Sequence, residues 1–354
     1  MAMDLHKRML HACDAAPISH SDCHIALVPS LGLGDSLIYL VLANNLALAG
    51  YRVTMLSNHL AHFADWLPNF AVLPFPKREE THSLAGDYDL VLSDCGGIVV
   101  GLDRDPLQLA KHYVFVGTLR VDPAYILDHS ARVEQRCGPE KAVLMSALSR
   151  CAGAMRVIDD PSVTMVEQAV AFCRTRLGIE QASSDPGFSI PADHVARRYP
   201  QRVMLHPTSY NRKKNWPAQK YLRLARRLKR QGYDPQFVLS PKERAEWSAQ
   251  LGDAFPIPHF ANARELAVYL YESGYIIGND SGVGHLGAAL GVPVLTVYRK
   301  RRDGFCWRPG WGNNLVVRPL ISLGAVKNAW KYFLSVGRVE RAFGRLVAKS
   351  EVQI

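Results

Sequence analysis

The stretch Tyr275–Val297, YIIGNDSGVGHLGAALGVPVLTV, reads as a buried strand, a sharp turn, a short helix of small residues and a second strand. Asp280, Ser281 and Gly282 occupy the turn, so the helix begins where a short polar side chain can accept backbone N–H groups. The free N–H groups of a helix N-terminus, helped by the helix dipole, attract a phosphate or diphosphate. Gly282 and Gly284 remove side chains where a ligand would approach the backbone. Gly287, Ala288 and Ala289 let the helix lie close to its sheet, and Gly291 followed by Pro293 ends it. A tight strand–helix joint with no ligand has the same signature, so the rest of the chain must decide between the two.

Around this unit lie 354 residues, enough for two domains, with the 48% hydrophobic content of an ordinary globular protein. No run approaches the ~20 apolar residues of a membrane span. The opening MAMDLHKRMLHACDAAPISHSD lacks the continuous apolar segment of a secretory signal. The cysteines (Cys13, Cys23, Cys95, Cys137, Cys151, Cys173, Cys306) are scattered, without a C-x-x-C pair or metal-like spacing. Idle thiols in a reducing cytoplasm are the expectation.

The net charge of +10 is unevenly spread. Arg197–Arg230 holds twelve Lys or Arg and no acid, and Arg299–Ile354 holds twelve against Asp303, Glu340 and Glu351. Such fields favour anionic partners: nucleotides, acidic glycolipids, membrane surfaces or nucleic acid. Nucleic acid is the weakest fit, because no RNA-binding aromatic signature, zinc finger or low-complexity basic tail accompanies the charge. Arg223, Arg226, Arg227 and Arg230 also fall at helical spacing, as on a solvated helix face.

The chain has the same rhythm twice. A strand at His24–Pro29 leads through SLGLGDS into a helix at Leu37–Ala49, and further strands are expected at Tyr51–Leu56, Phe70–Phe75, Asp89–Ser93 and Tyr113–Val116. Helices are expected within Ala131–Met155 and at Pro161–Leu177, and Gly178–Pro191 reads as a connection. The second round has a strand at Val203–His206, a helix at Ala218–Gln231, a strand at Gln236–Ser240 and helices near Glu243–Leu251 and Ala263–Tyr271. Strand–helix alternation with apolar strands predicts α/β architecture: two Rossmann-like, doubly wound parallel sheets facing a cleft. The expected divisions are residues 1–185, residues 186–324 and a helical segment at 325–354. Ligands bind outside the carboxyl ends of such strands, so the loops SLGLGDS, HPTSYNRKKNWP, SPKERAE and NDSGVGH matter most.

Taken in order, these loops resemble those of glycosyltransferase family 9, the heptosyltransferases of lipopolysaccharide core assembly. The matching residues are Asp35 in GLGDS; Thr208, Ser209, Lys214 and Trp216 in HPTSYNRKKNWP; and Asp280, Ser281, Gly282 and His285 in GNDSGVGHLGAALGVP. The resemblance implies a GT-B fold, inversion at the anomeric carbon, a nucleoside-diphosphate heptose donor, usually ADP-heptose, and a saccharide or glycolipid acceptor. It implies no further cofactor, and it places the protein in the cytoplasm, where an anionic inner-membrane surface is a candidate peripheral contact. Two segments depart from the family's pattern. VPSL stands where members acting on the first core sugar carry a basic residue, and RKRRDGFCWRPGW is more basic than the loop expected after the last strand.

Asp35, read from the residues alone, is as much a helix cap as a base. The resemblance makes it the general base that deprotonates the acceptor hydroxyl. One carboxylate suffices for a single displacement, unlike the pair of a glycoside hydrolase. Gly32 and Gly34 would keep side chains clear of the substrates. Lys214 is a solvated loop lysine or the group that neutralises the leaving diphosphate, with Lys213 and Arg212 competing for that role. Thr208 and Ser209 offer hydroxyls to phosphate or form the turn. Asp280 caps the helix or holds ribose or sugar hydroxyls, Ser281 and Gly282 present N–H groups, and His285 contacts phosphate or sugar. Glu243 follows a strand end, where a carboxylate can bind ribose hydroxyls. Trp216 reads as core. Asp35 and Asp280 form no metal-ligand cluster, and the helix dipole with Lys214 makes a divalent metal unnecessary.

Other functions fit less well. A nucleotide-sugar isomerase of the same fold needs acid–base groups on both faces of the sugar, and no second carboxylate or histidine accompanies GLGDS. A non-catalytic anion or nucleic-acid binder leaves Asp35 without a purpose. A dinucleotide dehydrogenase is more remote, since Leu37 stands at the last glycine of G-x-G-x-x-G and Ser57 and Asn58 stand where the second strand should end in an acid.

Overall fold

The computed structural model describes residues 22–75, 81–96, 105–301, 304–321 and 328–352. Eleven strands form two all-parallel sheets. The first contains β1 (His24–Val28), β2 (Arg52–Leu56), β3 (Ala71–Leu73), β4 (Leu90–Ser93), β5 (Val114–Gly117) and β6 (Gly153–Ala154), in the order 3-2-1-4-5-6. The second contains β7 (Tyr199–His206), β8 (Asp234–Phe237), β9 (Ser273–Asn279), β10 (Val294–Val297) and β11 (Asn314–Val317), in the order 11-10-9-7-8. Each order reverses once, between β1 and β4 and between β7 and β9. Those reversals are the switch points where open α/β sheets place their ligands.

The strands read as nearly continuous apolar runs because helices cover both faces. Along β7, Met204 faces one core while Val203 and Leu205 face another; Ile276 of β9 divides from Tyr275 and Ile277 in the same way. One core runs through both halves: Leu27, Ile38 and Phe172 belong to the same apolar cluster as Met204, Ile276 and Leu286. At its centre lies the helix Leu33–Leu48, buried from Ser36 to Leu46. Its two buried asparagines are both hydrogen-bonded. Asn45 Nδ2 donates to Val41 O at 2.7 Å and Ser183 O at 2.8 Å, and Asn44 Nδ2 donates to Asp185 O at 3.0 Å, so the connecting segment is tied along this helix.

Two further links cross between the halves. Arg264 pairs with Asp65 at 2.8 Å and stands over the Trp66 ring. The segment after β10 returns to the first half: Cys306 O accepts the Met165 N–H at 2.8 Å, and a methyl group on Gly304 or Gly310 would lie 2.5 Å from Pro161 or Val166. The helix Val336–Glu351 packs Val339, Phe343 and Leu346 against the second sheet. Most expected elements stand within a few residues of their places, but the first helix begins at Leu33 rather than Leu37, and β6 and β11 had no counterpart in the sequence reading. The Arg223, Arg226, Arg227 and Arg230 face is solvent-exposed, as its spacing predicts. Among the described residues no helix is long and apolar enough to cross a membrane.

Candidate functional site

The two glycine turns meet. A methyl group on Gly282 would lie 2.9 Å from Leu33 Cβ, and one on Gly34 would lie 3.5 Å from the His285 ring. These glycines therefore let the N-termini of the helices Leu33–Leu48 and Gly282–Ala289 abut, rather than only clearing space for a ligand. Gly32 instead makes room for the base candidate, since a methyl group there would come within 2.5 Å of Asp35 Oδ2. Gly287 presses the second helix onto its sheet, where a methyl group would overlap Ile276 Cδ1. Gly291, at φ +81°, ends that helix in a conformation that side chains resist.

Asp35 lies in the first turn of its helix, behind an N-cap, Gly32, that has no side chain to bond. It is therefore not the cap. A helix N-terminus favours a carboxylate by about 0.3–1 kcal/mol. Burial and the neighbouring Asp94 carboxylate outweigh that and push Asp35 up to about 6, with Lys214 pulling the other way. Lys214 belongs to the second half, whose glycine turn abuts the Asp35 turn at Gly34 and Gly282.

Lys214 Nζ bonds to Asp280 Oδ2 at 2.7 Å, with the lysine partly exposed and the aspartate largely covered. Lys213 points to solvent. The reason is local: Arg212–Lys214 forms one 3₁₀ turn, in which successive side chains diverge by about 120°. Asp280 thus pairs with lysine rather than capping the helix. Ser281 occupies the N-cap position but its hydroxyl makes no cap bond. Ser281 Oγ, Thr208 Oγ1 and His285 Nδ1 are buried without partners. Burial lowers the His285 pKa, with Asp280 and the Trp307 backbone pulling the other way, so the ring is neutral. Ser281 and His285 lie in the first turn of one helix and Thr208 lies just beyond the end of the neighbouring strand β7, so these polar atoms are available to a ligand.

Ser209 uses its hydroxyl inside its own loop, 2.7 Å from Asn215 Oδ1. Glu243 Oε2 closes a capping box with the Ser240 N–H at 3.0 Å and the Ser240 hydroxyl at 2.6 Å, which leaves one oxygen free of that bond. Trp216 is core, as its sequence context suggests: it is buried and donates from Nε1 to Leu334 O at 3.1 Å. Among the described residues no group of three His, Cys, Asp or Glu could hold a metal ion.

Two contributors escape the sequence reading. Asn279, at the end of β9, accepts from the Trp216 N–H and the Tyr221 hydroxyl at 3.1 Å each and donates to Pro207 O at 2.5 Å. It pins both basic-loop ends to the glycine turn, and its signal was an amide directly before Asp280. Asp94 follows β4 and enters the Asp35 site from the adjacent strand. The neighbourhood of GLGDS in sequence offers no second carboxylate; the sheet order supplies one.

Comparison with known proteins bears on the family and the fold. The profile of glycosyltransferase family 9 (heptosyltransferase) matches residues 144–327, more than half of the chain. Lipopolysaccharide heptosyltransferase 1 of Pseudomonas aeruginosa is 33% identical over 110 residues, a span of 30% of this chain and 30% of that protein. Similar solved structures include a family 9 glycosyltransferase from Veillonella parvula (TM-score 0.63, 17% identity, covering 94% of this chain and 99% of that one). ADP-heptose lipopolysaccharide heptosyltransferase II of E. coli gives a TM-score of 0.61 at 18% identity, covering 93% and 99%. An E. coli heptosyltransferase with ADP-2-deoxy-2-fluoro heptose gives 0.59 at 18% identity, covering 91% and 99%. At such identities these structures share the two-domain fold.

Proposed function

The chain belongs to glycosyltransferase family 9, and from that premise we propose that it transfers heptose from ADP-heptose to a saccharide acceptor of the lipopolysaccharide core type, with inversion. The observation that carries this reading is the abutting of the two glycine turns, Gly34 against the His285 ring and Gly282 against Leu33, which sets the Asp35 turn of the first half beside the turn that holds Asp280, Ser281 and His285 in the second.

In this scheme Asp35 takes the proton of an acceptor hydroxyl as its oxygen attacks the anomeric carbon. The carbon–oxygen bond to the diphosphate breaks on the opposite face, and its electron pair leaves with the diphosphate. Lys214, Thr208 and the N–H groups at Ser281 and Gly282 meet that charge, so the protein supplies without a metal what a cation would otherwise provide. Asp280 orients Lys214. His285, neutral through burial, presents Nδ1 to a sugar hydroxyl. Ser209 holds the loop, and the remaining oxygen of Glu243 is available to the ribose. Lys213, solvent-facing, has no part in the chemistry.

The test begins with thermal melting against ADP-, GDP-, UDP- and TDP-sugars, since a ligand at about 100 times its Kd adds ~2.7 kcal/mol. ADP-heptose is expected to raise the melting temperature most. Transfer to purified lipopolysaccharide core then gives a product whose anomeric configuration, read by NMR, is opposite to that of the donor. Retention of configuration, or activity abolished by a chelator and restored by a divalent ion, contradicts the scheme. Consumption of the donor with no acceptor present, forming an isomer, supports the isomerase instead.

A further inference from the structure

A buried carboxylate stands beside Asp35 that the scheme above leaves without a role. β4 lies next to β1, and Ser93 at its end pairs with Val28. The following residue, Asp94, is 8% exposed. Its Oδ1 accepts the Gly96 N–H at 2.9 Å, and its Oδ2 accepts the Thr118 N–H at 3.2 Å. Its own N–H donates to the Val28 carbonyl at 2.8 Å. Backbone donors of this kind favour the ionised carboxylate and fix its direction. A methyl group on Gly96 would come within 3.1 Å of Asp94 Oδ1 and 3.8 Å of the Ser30 hydroxyl, so the carboxylate lies against the loop that leads to Asp35.

We infer that Asp94 is a positioning residue for the transfer: a fixed negative charge at the first switch point that makes Asp35 a stronger proton acceptor. The inference rests on the reading of Asp35 as the base. Other charged or titratable groups bear on Asp35 from each neighbouring element. Lys214 reaches it from the loop after β7 and opposes Asp94, while carrying Asp280 as its own partner. His285, on the helix Gly282–Ala289, is neutral through burial. Tyr39, one turn along the Asp35 helix, and Cys95, after Asp94, are both raised by burial and stay protonated. Among the described residues, Asp94 is the carboxylate whose field raises Asp35. Its repulsion is felt while Asp35 is ionised and vanishes as the acceptor's proton arrives, which lowers the barrier rather than tightening binding. Two carboxylates coupled in this way titrate as a pair, so the pH profile is the natural readout.

The experiment compares the pH dependence of kcat/KM for wild type, Asp94→Asn and Asp94→Glu, using ADP-heptose and purified lipopolysaccharide core. In wild type the acid limb should fall near pH 6. In Asp94→Asn it should move down by about one pH unit as the like charge is lost, with the plateau reduced roughly tenfold and the donor KM unchanged. Asp94→Glu, which keeps the charge, should restore the limb. An Asn variant with wild-type melting temperature and an unmoved limb overturns the inference. If that variant does not fold, carbon-13 titration of the wild-type aspartates decides: Asp35 and Asp94 carboxyl signals that follow each other's titration steps support the inference, and an Asp35 signal that follows a single step to which Asp94 does not respond overturns it. Asp35→Asn separates the two failures. Retained transfer removes the base reading and this inference with it, whereas an inactive Asp35→Asn beside an unmoved Asp94→Asn limb removes Asp94 alone.

Discussion

Asp35 and Lys214 carry the sharpest consequences of single side chains. Asp35→Asn keeps the size and the capping ability of the side chain. Transfer should fall by ~10² to 10⁴, measured with ADP-heptose, while donor affinity stays near wild type. Its stability has a definite sign. The folded-state pKa of Asp35 lies above its ordinary value, at about 6. Protonated Asp35 therefore favours the fold fully below pH ~4, and that contribution is lost as pH rises through about 6. Thermal melts of the Asn variant should match wild type at pH 4 and exceed it at pH 8; a variant less stable at pH 8 contradicts this. Lys214→Ala should lower turnover by roughly 100-fold or more, with Lys213→Ala nearly silent, and the reverse pattern would reassign the diphosphate contact. The choice between these lysines was not legible in the sequence, because a 3₁₀ turn, not residue type, sets which one faces inward. Thr208, Ser281 and His285 were legible as candidates, but their lack of partners shows only once the surrounding chain is folded.

At the scale of elements, the glycine-rich helix depends on small residues and on one amide. Gly287→Val should overpack the helix against Ile276 and cost about 1–3 kcal/mol in urea unfolding. Asn279→Ala strands the Tyr221 hydroxyl and the Trp216 N–H, at about 1–3 kcal/mol for each buried group left unpaired. It should also weaken donor binding by loosening the Lys214 loop; loss of stability without loss of affinity would mean that the loop holds its shape unaided. The long strand–helix units were readable because period and punctuation agree over many residues. β6, two residues long, and β11, whose Asn314–Leu315–Val316 are only half-buried, carry too little pattern to be seen. Asp94 escaped notice for a related reason: its strand was anticipated, but which strand lies beside β1 depends on crossovers far apart in sequence.

Across the whole molecule, the two sheets share an apolar core with the Leu33–Leu48 helix inside it. Interfaces that are large and hydrophobic resist independent domain motion. A single cooperative thermal transition is therefore expected by calorimetry, and two resolved transitions would show that the halves unfold separately. Arg264→Ala, which breaks an exposed pair with Asp65, should change stability by no more than about 1 kcal/mol.

The segment that returns from β10 to the first half has a bearing on recombination. The connection between the sheets is a natural splice point for joining the first half of this chain to the second half of a relative. Such a chimera would carry a foreign strap across Pro161, Thr164 and Val166, where this chain fits only because residues 304 and 310 are glycine. A second half with a side chain at either place would wedge the halves apart and shift its lysine away from Asp35. Working hybrids of this scaffold should therefore take residues 161–166 from the same parent as the strap, which puts two further crossovers inside the first half.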